Sequence, residues 1–356
     1  MYTEFYGLKD KPFTVTPSSR FLYLGEVHKE ALALLTYGVL ERKEFILLTG
    51  DVGTGKTTII QALLDKLGKD VKRVLLSNPL LSPQEFIEHL TLHTFRKRVR
   101  FDSKAEFLFY FEEFLRRCFR KGLHFVLIID EAHKLSFELL EEIRLLSNMQ
   151  ELGESLISVF LAGQPELNEK LRDPRCRALL QRIAMQYHIS PLDAKETAEY
   201  VTTRLKLAGA ENGSRIFPND AISSIYEHSR GYPRVINILA DNALLLGYSR
   251  GKAKITGSMV EECYEDLKLK PGYQEPAPES PRPQGSAKRA RPQTRMNLWK
   301  LAAVLLMIIM GILVFSLSPP GKTLLKRFSG IIRGVEQPHQ GNVSDSNPVF
   351  KKKIDW

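Results

Sequence analysis

The chain has 356 residues, 43% of them hydrophobic and 26% charged, which suits about two domains of roughly 150 residues each with an ordinary buried core. Its net charge of +10 is unevenly placed: residues 271–300 hold six Lys/Arg against two Glu, residues 319–356 hold seven against three acids, and residues 1–270 keep only +2. Cys118, Cys176 and Cys263 are odd in number and far apart, which excludes a disulfide framework or a zinc cluster and fits buried thiols in a reducing compartment.

The N-terminus, MYTEFYGLKDKPF, has no basic stretch followed by an apolar run, so no signal peptide is expected. Residues 1–45 mix aromatics with Pro12 and Pro17 and become helical from about Val27 to Leu40. FILLT (45–49), RVLLS (73–77), HFVLIID (124–130) and LISVFLA (156–162) are short apolar runs. Helical patterns separate them at Thr57–Leu67, Pro83–Thr94, Ala105–Phe119 and Ser136–Met149. That alternation predicts βαβ units and a parallel sheet, an α/β fold to which MQYHI (185–189) can add a fifth strand.

After Pro191 the pattern is wholly helical. Pro218-Asn219-Asp220 and Pro233 mark helix starts, and Gly209, Gly231 and Gly251 fall at helix ends. Residues 271–295 are Pro-rich, basic and poor in aromatics, the composition of a linker. Leu301–Ser318 then runs 18 residues without a charge, with Trp299 and Lys300 at its entrance and Pro319-Pro320 at its exit. A membrane-spanning helix needs about 20 mainly apolar residues, so this segment reads as one transmembrane helix. The expected organisation is an α/β core over 1–190, a helical lid over 191–270, a linker over 271–297, a transmembrane helix over 298–318 and a short non-cytoplasmic tail over 319–356.

GDVGTGKT, comprising Gly50, Asp51, Val52, Gly53, Thr54, Gly55, Lys56 and Thr57, follows a strand and opens a helix, as a phosphate-binding loop requires. Main-chain N–H groups of such a loop cradle phosphates at the positive end of the next helix. Lys56 is expected to reach the β- and γ-phosphates of ATP, Thr57 to ligate Mg²⁺, and Thr58 to complete the nucleotide-binding set. HFVLIIDEAH delivers Asp130 and Glu131 at the end of a buried strand. Asp130 there can hold Mg²⁺, and Glu131 can orient and deprotonate the attacking water. Gln164, just past another strand in LAGQPEL, can bond the γ-phosphate or that water. Arg172, Arg175, Arg177 and Arg182 precede the fifth strand and are candidates for an arginine acting on a neighbouring subunit's γ-phosphate, with Arg182 favoured and Arg177 next. Pro233 at a helix start sets Arg234 in the first turn, where it can reach from the lid to the nucleotide.

Together these residues resemble an AAA+ ATPase, with a P-loop NTPase core. The loop corresponds to Walker A, Asp130-Glu131 to Walker B, Gln164 to sensor 1 and Arg234 to sensor 2. The stretch from FYGLKDKPF to GDVGTGKTT, with IDEAHKL, LAGQPEL, QRI and GYPRVIN, is similar to the general secretion pathway protein A (ExeA-type) family over about residues 1–270. The resemblance implies a cytoplasmic ATPase at the bacterial inner membrane, serving assembly of the type II secretion apparatus, with relatives in pilus or polysaccharide export. It also implies that Phe13 and Tyr23 lie near the adenine. Proteins of this family usually continue into a peptidoglycan-binding domain, which the 38 residues after the apolar segment do not match, so cell-wall binding does not carry over.

The leading expectation is a membrane-anchored, oligomeric ATPase, in a homo-oligomeric ring, working with envelope secretion or export components. The six basic residues before Leu301 agree with a cytoplasmic ATPase domain. The alternative is a DNA-associated AAA+ ATPase of the transposition-regulator or origin-binding type. The low charge of residues 1–270 and the lack of an appended helix-turn-helix weigh against nucleic acid. A nucleotide-gated adaptor with little turnover is the third reading, and Glu131 weighs against that.

Overall fold

The computed structural model describes residues 2–14, 21, 23–97, 99–211 and 213–269. The linker, the apolar segment Leu301–Ser318 and the tail lie outside the described residues. Among the described residues no helix is long and apolar enough to cross a membrane.

After a four-residue helix α1 (Tyr2–Phe5) and α2 (Glu26–Leu40), strands and helices alternate: β1 (Phe45–Gly50), α3 (Lys56–Lys66), β2 (Val71–Leu76), α4 (Pro83–Phe95), α5 (Lys104–Arg120), β3 (His124–Ile129) and α6 (Phe137–Leu146). A hairpin of two-residue strands, β4 (Gln150–Glu151) and β5 (Glu154–Ser155), leads into β6 (Ile157–Gly163), α7 (Glu166–Arg172), α8 (Arg177–Leu180) and β7 (Ile183–Ile189). The five long strands form one parallel sheet in the order β2-β3-β6-β1-β7.

Position in that order explains the sequence patterns. Every residue of β1, β3 and β6 is buried, because helices cover both faces, and those strands are uninterrupted apolar runs. The edge strands differ. β2 exposes Lys72 and Arg73, and β7 exposes Ala184, Gln186 and His188 in alternation. One face of the sheet packs Phe45, Leu127 and Leu161 against α4, α5 and α6 through Phe86, Phe111 and Leu139. The other packs Ile46, Val126 and Phe160 against α2 and α3 through Leu32, Ile59 and Leu63. This three-layer packing brings the carboxyl ends of β1, β3 and β6 to one crevice, where open α/β sheets bind ligands.

Two expectations for this region change. The helix expected over Ser136–Met149 ends at Leu146. Met149 accepts a main-chain bond from Leu156 (3.0 Å), which needs extended chain, and Leu152-Gly153 (φ +53° and +83°) make the turn. Strand β7 also begins two residues before the expected run.

The helical part comprises α9 (Ala194–Leu207), α10 (Gly213–Ile216), α11 (Asn219–Ser229), α12 (Pro233–Ser249) and α13 (Gly257–Lys268). Asp193 and Glu196 form a capping box at the start of α9. Its apolar cluster, including Val201, Leu205, Ile225, Ile236 and Ala240, takes in Tyr2, Tyr6, Leu8, Phe13 and Phe21. The first residues of the chain thus pack with the helices 200 residues later. Cys118, Cys176 and Cys263 are free and buried, and burial pushes all three thiols up, Cys263 to about 11.

Candidate functional site

β1 runs directly into the loop of residues 51–55, and Lys56 opens α3. Gly53 and Gly55 hold φ of +83° and +101°, values that residues with a Cβ rarely adopt. Space is short as well: a Cβ on Gly53 would lie 2.9 Å from Arg234 Cβ, and one on Gly55 would lie 3.1 Å from His28 Nε2. The loop is gripped between α2 and α12. His28 Nε2 donates to the Thr54 carbonyl (2.9 Å), the Thr54 hydroxyl to the Asp51 carbonyl (2.9 Å), and the main-chain N–H of Arg234 to the Gly53 carbonyl (3.3 Å). Tyr232 OH donates to Asp51 Oδ2 (2.8 Å), and burial, then this bond, raises the Tyr232 pKa.

Lys56 is only 6% exposed, and its ammonium donates to the carbonyls of Gly50 (2.8 Å) and Asp51 (2.9 Å). Burial lowers its pKa, while Glu131, Asp130, Asp51 and Glu166 act the other way. The next residue meets the end of β3: the Thr57 hydroxyl donates to Asp130 Oδ2 (2.8 Å), and the Glu131 N–H donates to Asp130 Oδ1 (2.9 Å). Glu131 adopts a left-handed conformation (φ +54°), a strained geometry of the kind found where a side chain must be aimed. Its carboxylate lies 3.1 Å from Lys134 Nζ and 3.7 Å from His133 Nε2. Gln164, at the end of β6, contacts His133 through both its main chain and its side chain.

A cavity of about 480 Å³ lies among these groups. Val52, Gly53, Gly55, Lys56, Thr57 and Thr58 line it from the loop and α3, Glu131 and Gln164 from the sheet, and Arg234 from the helical part. Gly50, Asp51, Thr54 and Asp130 stand behind that lining as the support just described. The far wall is Thr14, Phe21, Tyr23, Tyr200, Arg204 and Asn237. Arg204 is buried there, donating from Nε to the Pro12 carbonyl (2.6 Å) and from Nη1 to Tyr200 OH (2.6 Å), with its guanidinium 5.4 Å from the Phe21 ring centre. Tyr200 OH in turn donates to Asn237 Oδ1 (2.9 Å).

The residues present fit a nucleotide with its cation. The glycine cradle has room for phosphate where Cβ atoms would intrude, a buried ammonium lies beside it, and a hydroxyl and a carboxylate stand 2.8 Å apart at its edge. Hard oxygen donors of this kind suit Mg²⁺, which is commonly held by one or two carboxylates together with phosphate oxygens.

Other expected residues lie elsewhere. Phe13 does not line the cavity. It is 1% exposed in the core of the helical part, edge-on to Phe217, because a large ring gains more from that apolar cluster than from a polar crevice. Arg182 sits just before β7, at the amino-terminal end of the sheet, donating to Glu44 (3.2 Å) and Ser147 (3.3 Å). Arg175 pairs with Asp173 and lies 3.5 Å over the Phe137 ring, while Arg172 and Arg177 are exposed on the surface. His28, His133, Tyr200, Arg204, Tyr232 and Asn237 carry no sequence signal as site residues. IDEAH does place His133 three residues after Asp130, and GYPR places Tyr232 two before Arg234, so proximity to a motif was the only available clue.

Residues 39–171 match the AAA domain family. The chain is 38% identical over 267 residues to general secretion pathway protein A of Aeromonas hydrophila, an alignment covering 74% of this chain and 48% of that protein. The chain thus spans about half the length of this relative. Among solved structures, the ORC2 protein of Aeropyrum pernix, in ADPNP–ADP complexes, is similar with a TM-score of 0.55 at 14% identity, over 69% of this chain and 70% of that one. Cdc6p of Pyrobaculum aerophilum has a TM-score of 0.54 at 21% identity, over 70% of each chain. At such identities the likeness is one of fold.

Proposed function

Because this chain belongs to the AAA+ ATPases and is similar to general secretion pathway protein A over 74% of its length, we propose that it hydrolyses ATP to drive assembly or operation of a bacterial envelope secretion or export system. The hydrolytic part of the reading rests on one observation: Lys56, Thr57, Glu131, Gln164 and Arg234 line one cavity, with Asp130 hydrogen-bonded beneath Thr57.

The roles follow from chemistry. Loop N–H groups and Lys56 bind the β- and γ-phosphates, and Lys56 exchanges its two carbonyl partners for phosphate oxygens as it does so. Thr57 and Asp130 would hold Mg²⁺, whose charge would offset that of the phosphates. Glu131 accepts the proton of the attacking water, and Gln164 donates to the γ-phosphate or fixes that water. Arg234 carries the state of the phosphates to the helical lid. Arg182, or else Arg177, acts on the neighbouring subunit's γ-phosphate in a homo-oligomeric ring. Leu301–Ser318 anchors the protein in the inner membrane by a single pass, with the ATPase domain cytoplasmic. The secretion assignment is supported by the relative's name alone, so its partners are proposed as envelope secretion or export components of the type II, pilus or polysaccharide kind.

Purified full-length protein should turn over ATP with Mg²⁺. Glu131→Gln is expected to keep nucleotide binding and lose at least about 100-fold in turnover. Full activity in Lys56→Ala, or recovery of the intact chain in the soluble fraction, would sink the reading. Tight DNA binding by residues 1–270, with affinity falling steeply as salt rises, would favour the origin-binding alternative.

A further inference from the structure

The hydrolytic reading uses Glu131 and Gln164 but leaves out the side chain between them. His133 is mostly buried behind the cavity wall and does not line the cavity itself. It touches Gln164 twice. The main-chain N–H of Gln164 points at His133 Nδ1 (3.4 Å), and the side-chain amide of Gln164 lies 3.2 Å from His133 Nε2. The backbone of His133 is also pinned, since Lys170 Nζ on α7 donates to the carbonyls of His133 (2.6 Å) and Leu135 (2.8 Å).

These contacts determine where the protons are. A main-chain N–H can only donate, so Nδ1 must be the acceptor, and a neutral imidazole then carries its proton on Nε2. That N–H needs an acceptor. The Glu131 carboxylate, at 3.7 Å, is beyond hydrogen-bond reach, which leaves the Gln164 side chain. An amide nitrogen in that place would set two donors against each other. The carbonyl oxygen of Gln164 therefore faces His133, and the NH₂ group is turned the other way, toward the cavity that Gln164 lines.

We infer that His133 is a positioning residue that fixes Gln164 as a hydrogen-bond donor toward the γ-phosphate end of the cavity. The inference rests on the ATPase reading for its consequence but not for its geometry. Without His133 the Gln164 amide is free to flip and offers oxygen or nitrogen with little preference. A carbonyl oxygen turned toward phosphate is repelled, so turnover falls while ground-state binding through the loop and Lys56 is kept.

The test is a double-mutant cycle on the full-length protein, using ATP turnover and ADP affinity as separate readouts. His133→Ala and Gln164→Ala should each lower kcat by about 10- to 100-fold, with ADP affinity within about threefold of the parent. The double variant should be no slower than Gln164→Ala, because His133 acts only through Gln164. His133→Gln, whose amide can donate where Nε2–H does, should recover part of the loss. Losses that multiply, or an ADP affinity that collapses with His133→Ala, would overturn the inference. Long-range ¹H–¹⁵N spectra of the imidazole decide the geometry directly: an Nε2–H tautomer is expected, and an Nδ1–H tautomer refutes it. That spectrum is read whether or not the protein hydrolyses ATP, so failure of the function and failure of the inference are distinguishable.

Discussion

At Gly53 the main chain leaves no room for a methyl group, and that residue joins the phosphate loop to the helical part. Gly53→Ala would force a Cβ at φ +83° to within 2.9 Å of Arg234 Cβ. The expected result is a loss of at least about tenfold in ADP affinity, measured by fluorescence titration, together with a stability cost of roughly 1–3 kcal/mol for the strained backbone. Unchanged affinity would mean that the loop and α12 are not gripped together in solution. His124 gives a prediction of another kind. It is buried at the start of β3, donates from Nε2 to Ser158 Oγ (2.8 Å), accepts from Arg42 on Nδ1 (3.3 Å), and burial, then Arg42, lowers its pKa to about 4. The unfolded chain takes up this proton near pH 6.5, so the unfolded state binds more protons between about 4 and 6.5. Stability from this group is complete above about pH 6.5 and declines as pH falls toward about 4, by up to roughly 3 kcal/mol. Urea unfolding of His124→Gln should show a shallower acid dependence over that window. Neither residue's full role was legible beforehand: GDVGTGKT identifies Gly53 as loop but not its neighbour on α12, and His124 in HFVLIID reads only as a strand start.

Among the elements, helix starts are where single substitutions have the clearest meaning. Ser82 caps α4 in a capping box with Glu85 that is exposed to solvent. The equivalent box on α9 does more. Glu196 is buried, accepts from the N–H of Asp193 through one oxygen (3.0 Å), and through the other accepts from the N–H of Glu26 (2.9 Å) at the start of α2. One carboxylate thus serves the amino ends of two helices. Ser82→Ala is expected to cost about 1 kcal/mol. Glu196→Ala should cost clearly more, up to about 3 kcal/mol, since it strips two buried N–H groups of a charged acceptor. Equal urea midpoints for the two variants would refute that ranking. At this scale the sequence was informative wherever burial was one-sided or complete. β1, β3 and β6 are apolar throughout and stood out, whereas Lys72 and Arg73 hid the first half of edge strand β2. The β4–β5 hairpin escaped notice because strands of two residues, Gln-Glu and Glu-Ser, have no periodicity to read.

For the molecule as a whole, the proposed ring makes a testable demand on Arg182, which lies at the end of the sheet away from the cavity and pairs with Glu44. Glu131→Gln protein has an intact Arg182 and a dead site, and Arg182→Ala protein the reverse. If Arg182 acts across a subunit boundary, mixing the two inactive proteins should restore part of the ATP turnover. Mixtures as inactive as their components, with oligomers still forming, would point instead to Arg177 or to no such arginine. The sequence placed the phosphate loop, the acidic pair and the helical part in order, yet it assigned the first residues to the wrong neighbourhood in one respect. Phe13 was expected beside the nucleotide, and its aromatic character fitted either surroundings. Its true partners are more than 200 residues away, as are those of Tyr2, which donates to Asp241, and Pro12, which accepts from Arg204. This has a temporal meaning. At roughly 5–20 residues per second of synthesis, Tyr2, Phe13 and Phe21 leave the ribosome about ten seconds or more before α12 exists. The sheet can form in that interval, but the far wall of the cavity is completed only when the newest part of the chain meets the oldest.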